Sequence, residues 1–268
     1  MAKQDGGIVE TVKTLFWAGV IAVAFRSLLF QPFFIPSESM KDTLLVGDFL
    51  FVNKMAYGYS TVSCEIPFTK ISLCPVPGRL KLPLLSGDPE RGDVVVFRHP
   101  VSGQDYIKRL IGLPGDKIQM KEGILYINGE AAPQTPDGVF AEVFEPQGSM
   151  DSTPRCSNAP VGVGGTCEKQ RAIETLPNGV KHAVLNIDIN GYADNTDVFT
   201  VPMGEYFFMG DNRDNSMDSR YSQSAGGVGF VPAELLIGRA DRIMFSSAGS
   251  SLFYFWTWRG DRFLKAIE

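Results

Sequence analysis

The stretch that most limits what this chain can become is an apolar segment close to its N-terminus. It reads Thr14-Leu15-Phe16-Trp17-Ala18-Gly19-Val20-Ile21-Ala22-Val23-Ala24-Phe25, is interrupted by Arg26-Ser27, and resumes as Leu28-Leu29-Phe30-Gln31-Pro32-Phe33-Phe34-Ile35. As a helix, residues 14–35 would reach roughly 33 Å, enough for the hydrocarbon core of a bilayer. Arg26 is the obstacle, because a charge at the bilayer centre costs about 2.5–3.5 kcal/mol on insertion scales, less if it snorkels. A cleaved leader would need a small-x-small site after the apolar run, and Phe33-Phe34-Ile35-Pro36 supplies none. A buried or interfacial helix is the other alternative, since the uninterrupted run is short. An uncleaved transmembrane anchor over residues 14–35 fits best, with Trp17 near one interface. Lys3 and Lys13, offset by Asp5 and Glu10, favour a cytoplasmic N-terminus for residues 1–13, with the remainder outside.

The chain beyond the anchor is long enough to bury a core. With 44% hydrophobic and 21% charged residues the protein has globular values, and its net charge of −5 excludes the basic stripe of a nucleic-acid binder. There are two histidines, His99 and His182, which leaves little material for a histidine triad or metal site. The cysteines fall into two local pairs, Cys64 with Cys74 and Cys156 with Cys167, neither at zinc-ligand spacing. Local disulfides are the economical reading in an oxidising compartment, each contributing about 2–3 kcal/mol; buried free thiols are the alternative.

Short β-branched and aromatic runs separated by turn residues argue a mainly β domain. Gly47-Asp48 precedes Phe49-Leu50-Phe51-Val52, Arg91-Gly92-Asp93 precedes Val94-Val95-Val96-Phe97, and Pro114-Gly115-Asp116 follows the run 106–113. Asn128-Gly129 is a hairpin signal after Ile124-Leu125-Tyr126-Ile127. Residues 130–200 are richer in Pro, Gly, Ser, Thr and Asn and read as an inserted, smaller β subdomain. Residues 36–129 and 201–250 then form the main antiparallel β domain. Residues 251–268, with Phe253-Tyr254-Phe255-Trp256-Thr257-Trp258-Arg259 followed by Arg262 and Lys265, suit a membrane interface or, equally, a final core element.

Chemistry can be sought in three places. Pro36-Ser37-Glu38-Ser39-Met40 puts two serines at the exit of the anchor. A serine nucleophile needs a base; His99 and His182 have no triad signature beside them, and solvated or packing roles suit both better. Lysine can serve when desolvation lowers its pKa. Lys108 lies in Tyr106-Ile107-Lys108-Arg109-Leu110, where an extended chain flanks it with Tyr106 and Leu110 on one face; an edge-strand lysine is the plainer alternative. The third place is Gly210-Asp211-Asn212-Arg213-Asp214-Asn215-Ser216-Met217-Asp218-Ser219-Arg220. A calcium loop counted from Asp214 would put Ser219 at the glycine position and Ala225 at the bidentate glutamate, so it fails. A hydrogen-bonding network fits the stretch better than a solvated turn.

Together these blocks resemble the bacterial type I signal peptidases, the Ser/Lys proteases that remove signal peptides from exported proteins. The resemblance runs in order through residues 36–40, 47–54, 91–116 and 210–220, and covers the anchor and most of the chain outside the insert. It implies Ser39 as nucleophile, Lys108 as general base, and Ser37 as oxyanion donor beside the Ser39 backbone N–H. It also implies that Ser216 positions the Lys108 amine and that Asp218 pairs with Arg220, with Asp211 nearby. No cofactor is implied. The partners would be signal peptides of exported precursors and membrane lipid. The location would be the bacterial inner membrane, single-pass, with the catalytic domain on the periplasmic side. Glu38, a charge between the two serines, must then point to solvent. Two other functions compete. A self-cleaving regulator fused to a DNA-binding domain is excluded by the apolar N-terminal span. A non-enzymatic, membrane-tethered β module binding extended peptides would dispense with Ser39 or Lys108, and both are present.

Overall fold

The computed structural model describes residues 7–67, 69, 71–74, 78–148, 151–249 and 253–267. One long helix, α1 (Gly7–Leu28), is followed by β1 (Phe30–Phe34), β2 (Asp48–Asn53), β3 (Val94–Arg98), β4 (Asp105–Gly112), β5 (Lys117–Lys121), β6 (Ile124–Ile127) and β7 (Glu130–Ala131). Then come β8 (Gln134–Val143), β9 (Thr166–Thr175), β10 (Lys181–Asn186), β11 (Phe199–Thr200), β12 (Glu205–Met209), β13 (Val231–Pro232) and β14 (Leu236–Ser246). Among the described residues the fold is mainly β behind a single N-terminal apolar helix.

The helix α1 is long and apolar enough to cross a membrane, and side chains such as Ile8, Leu15, Phe16, Trp17 and Ile21 lie exposed along it. Its bounds differ from the span 14–35. Polar Glu10, Thr11 and Lys13 are compatible with helix and extend it N-terminally, while Phe30–Phe34 pairs antiparallel with β2. A continuous apolar run does not by itself distinguish helix from strand, and the aromatic residues around Pro32 resolve it as an edge strand. Arg26 therefore stands in the last helical turn, where a cation complements the helix dipole, and Trp17 falls near the middle of the helix. The helix end is capped by the rest of the protein: Tyr59 Oη donates to Leu28 O (2.6 Å), Lys54 N to Leu29 O (3.0 Å), and Lys54 Nζ reaches Ser27 O (3.4 Å). Lys54 is buried, and desolvation aided by Arg26 lowers its pKa to about 8.

The main sheet has the order β1-β2-β14-β3-β4-β12-β13, every pairing antiparallel, with bulges in β14 and β4 that sharpen its curl. Three Gly-Asp turns launch strands by one device. The N–H of Asp48, Asp93 and Asp116 closes a turn on the carbonyl of Leu45, Glu90 and Leu113 (3.0, 3.1 and 3.0 Å), and each aspartate carboxylate accepts from the N–H of the same upstream residue (2.8, 3.0 and 2.7 Å). The third position of each turn needs positive φ, met by Gly47 (94°), Gly92 (100°) and Gly115 (89°). Asp48 has a further load: buried, it receives Ser246 Oγ (2.6 Å) and a fork from Arg262 (3.0 and 2.6 Å). Arg262 is thus committed to the protein interior rather than offered to lipid, whereas Phe253, Phe255 and Trp256 around it are exposed.

Two smaller sheets, β11-β5-β6-β7 and β10-β9-β8, complete the architecture. Glu130–Ala131 pairs with β6, so the chain does not change sheets at residue 130; the four-stranded sheet already begins at Lys117. The apolar core is layered, with Val95, Phe97, Leu110 and Phe208 inside the main sheet and Ile118, Leu125, Ile127 and Phe207 beneath the four-stranded one. Disulfides join Cys64 to Cys74 and Cys156 to Cys167.

Candidate active site

The serine pair sits in a turn pinned at both ends by burial. Ile35 and Met40 are 2% and 1% exposed and pack with Leu44, Leu50, Val94 and Ile243. Between these anchors Ser37 is exposed and Ser39 is buried. The loop after β12 holds the turn from the far side: Asn212 N donates to Ser39 O (3.1 Å) and Asn212 Nδ2 to Glu38 O (3.2 Å). Gly210 permits this approach, since a Cβ there would lie 2.3 Å from Ser216 Oγ and 2.5 Å from Ser39 O. Among the described residues, the backbone N–H of Ser39 and the hydroxyl of Ser37 donate to no protein group.

Lys108 enters from β4. On one side of that strand Lys108 faces Val95 of β3; on the other, pairing with β12 covers only residues 109–112. The lysine is therefore an interior residue at the mouth of a groove, 4% exposed, and the edge-strand alternative does not hold. Its Nζ lies 2.5 Å from Ser39 Oγ and 3.1 Å from Ile107 O. Burial lowers its pKa to about 8; Asp218 and Asp211 oppose the shift and Arg220 adds to it.

The polar loop 210–220 is a network, but its pairs divide. Arg220 forks onto Asp218 (Nε–Oδ1 and Nη2–Oδ2, both 2.9 Å), and Gly210 N donates to Asp218 Oδ2 (3.0 Å). Burial works to raise the Asp218 carboxyl, yet Arg220, the Gly210 N–H and a contribution from Ser216 hold it below the usual range. Among the described residues Ser216 Oγ has no hydrogen-bond partner, the Lys108 amine included. Asp211 belongs to a different pair, accepting a fork from Arg109 (2.9 and 2.9 Å) and Thr43 Oγ1 (2.6 Å). Its carboxyl is likewise lowered against the effect of burial, mainly by Arg109.

Glu38 does not turn to solvent. It is 6% exposed, with Oε1 accepting from Lys41 Nζ (2.7 Å) and Oε2 from Asn215 Nδ2 (2.9 Å). A buried ammonium and a side-chain amide thus replace water as its partners, and Glu38 and Asn215 both border the groove. Lys41, Asn212, Asn215 and Arg109 are the site neighbours that sequence reasoning left without a role. The i,i+3 spacing of Glu38 and Lys41 was the available signal for one of them.

Neither histidine approaches Ser39 through a hydrogen bond. His99 Nδ1 accepts from Val101 N and Ser102 N (3.1 Å each) and Nε2 faces Gly227 O (3.2 Å), a set that fixes its tautomer within a turn. His182 is buried 3.4 Å from Glu174 and 3.8 Å from Asp211 without a hydrogen bond. Burial, then Arg109, lower its pKa to about 4, against Asp211 and Glu174.

A groove of about 540 Å³ runs past the dyad. Phe33, Val96 and Ile107 make its apolar part, Ser37, Ser39 and Lys108 its middle, and Arg155, Asn215 and Met217 its polar end. Two strand edges border it, that of β1, which pairs only with β2 among the described residues, and that of residues 105–108.

Residues 8–245 match the model of the family described as signal peptidase, peptidase S26. The chain is 40% identical over 234 residues to a signal peptidase I of Rickettsia typhi, which covers 85% of this chain and 76% of that relative. It is 39% identical over 249 residues to that of Rickettsia akari, with 89% and 81% covered. A crystal structure of a signal peptidase I from Enterococcus faecalis is 25% identical, with a TM-score of 0.29, and covers 57% of this chain and 97% of that one. By the extent of the family match and the identity of these relatives, the chain belongs to the signal peptidase family, peptidase S26.

Proposed function

We propose that this signal peptidase is a single-pass membrane serine endopeptidase that cleaves signal peptides from exported precursors with a Ser39/Lys108 dyad. The observation that carries the reading is the buried Lys108 amine 2.5 Å from Ser39 Oγ, with a pKa lowered by burial to about 8. In its neutral form Nζ accepts the Ser39 proton along that contact. Oγ attacks the scissile carbonyl, and the amine then returns the proton to the leaving nitrogen as the peptide bond breaks. Water, deprotonated by the same amine, hydrolyses the acyl-enzyme. The Ser39 N–H and the Ser37 hydroxyl are the donors for the oxyanion.

The substrate binds as an extended strand laid between the edges of β1 and residues 105–108, so backbone hydrogen bonds give affinity to varied sequences. The apolar part of the groove takes the small side chains before the cut. Helix α1 is the anchor, and the main and inserted β regions lie on the extracytoplasmic face. The two disulfides support that side, because such bonds persist in oxidising compartments. The exposed Phe253, Phe255 and Trp256 then rest at the lipid interface. In detergent, wild type is expected to cut a precursor bearing an Ala-x-Ala site, and Ser39→Ala and Lys108→Ala each to lose at least about 10,000-fold in kcat while keeping the wild-type melting temperature. Retained cleavage in either variant would end the dyad reading.

A further inference from the structure

Glu38 poses an electrostatic problem for any oxyanion formed at this turn, and the structure contains an answer to it. The carboxylate stands between Ser37 and Ser39 and is buried. Uncompensated, it would oppose negative charge developing on the neighbouring backbone. Lys41, itself 1% exposed, uses all three of its donors around it: Glu38 Oε1 (2.7 Å), Glu142 Oε2 (2.7 Å) and Gln147 Oε1 (2.9 Å). Glu142 comes from β8 and also receives Gln147 Nε2 (2.8 Å) and, on its other oxygen, Lys169 of β9. Lys169 is fully buried, with its amine 5.7 Å from the centre of the Phe140 ring. Two carboxylates and two ammoniums thus form a closed, neutral cluster running from the serine turn into the three-stranded sheet. Burial would raise the Glu142 carboxyl, yet Lys41 and Lys169 hold it below its usual range.

We propose that Lys41 is a positioning residue for peptide cleavage: clamped by Glu142 and Gln147, it neutralises Glu38 and fixes the turn whose Ser37 and Ser39 receive the oxyanion. The three-stranded sheet acquires a role in catalysis by holding that cation, with no group of its own touching substrate. The proposal rests on Ser39 as the nucleophile.

The sign of the charge gives the test. Lys41→Met leaves the cluster with an excess negative charge beside the oxyanion, and kcat is expected to fall about 100-fold, the scale of a lost oxyanion donor, with KM little changed. Glu38→Gln leaves the opposite excess and is expected to cost no more than about fivefold. In Glu38→Gln/Lys41→Met, the remaining Glu142 and Lys169 balance, and at least about tenfold of the lost kcat is expected to return. A packing role alone predicts similar losses in both single variants and a worse double variant. That pattern, or a Lys41→Met enzyme with wild-type kcat, would overturn the proposal. Should Lys41→Met not fold, Glu38→Gln and the double variant decide: a folded double variant far less active than Glu38→Gln would show that Lys41 does something other than neutralise Glu38. Ser39→Ala in the same assay separates the two readings. Its activity would remove the nucleophile and this proposal together, whereas its inactivity beside an undisturbed Lys41→Met removes this proposal alone.

Discussion

At the scale of single residues, the site is an exercise in choosing which charges to desolvate. Among the described residues Lys108 has no carboxylate in hydrogen-bond contact; its amine meets a hydroxyl and a carbonyl, so burial lowers its pKa to about 8 with opposition only from Asp218 and Asp211. Arg109 and Arg220, by contrast, are forked onto aspartates. The consequence is a pH dependence with a definite sign. Only the neutral amine accepts the Ser39 proton, so kcat/KM should fall about tenfold per unit as pH drops below about 8, and level off above it. A pH profile on a short peptide substrate checks this. A limb centred near 6.5 that vanished in His99→Ala would instead point to an imidazole base.

At the scale of elements, what was legible in the sequence is what local geometry decides. The Gly-Asp turns announced β2, β3 and β5 because positive φ and a carboxylate acceptor are requirements of three or four adjacent residues. The end of the anchor was not legible, because Phe30, Phe33 and Phe34 are as apolar as a helix and their strand state depends on β2, which is many residues away. Lys108 was marked by its flanking residues, but its interior position depends on strand order. Asp211 was visible as part of a polar cluster, though not as the partner of Arg109 on another strand. The junction of α1 and β1 also yields a prediction. Tyr59→Phe removes the hydroxyl that satisfies Leu28 O and should destabilise the protein by about 1 kcal/mol, the scale of a part-buried hydrogen bond lost. Differential scanning calorimetry of the detergent-solubilised protein would register it as a lower Tm. An unchanged Tm would mean that the helix end is not held by this contact.

At the scale of the whole molecule, the main sheet and the three-stranded sheet are joined by buried charge as well as by the chain. Glu174 of β9 receives a fork from Arg213 (2.9 and 2.6 Å), His182 of β10 lies between Glu174 and Asp211, and Asp211 in turn holds Arg109 of β4. Burial, reinforced by Arg109 and Arg213, keeps the His182 ring neutral down to about pH 4, although its ordinary value is 6.5. Between those two values the unfolded chain binds a proton that the folded protein refuses, so stability must fall as pH drops through this window and rise again as pH increases. Other lowered groups act elsewhere, and Asp194, whose carboxyl burial and Asp214 raise, acts with the opposite sign, adding stability as pH falls. Lys54 and Lys108, lowered from 10.5 to about 8, make stability depend on pH only above about 8, where the unfolded chain alone remains protonated. Asp211, Asp218 and Glu174, all held below their usual range, lose their contribution only as pH falls through the carboxylate range. The loss between pH 6.5 and 4.5 is therefore assigned to His182. Melting temperatures at half-unit intervals should decline across that range in wild type, and the decline should flatten in His182→Asn. An equal decline in the variant would move the proton uptake to another group and leave the junction between the sheets without its pH sensitivity.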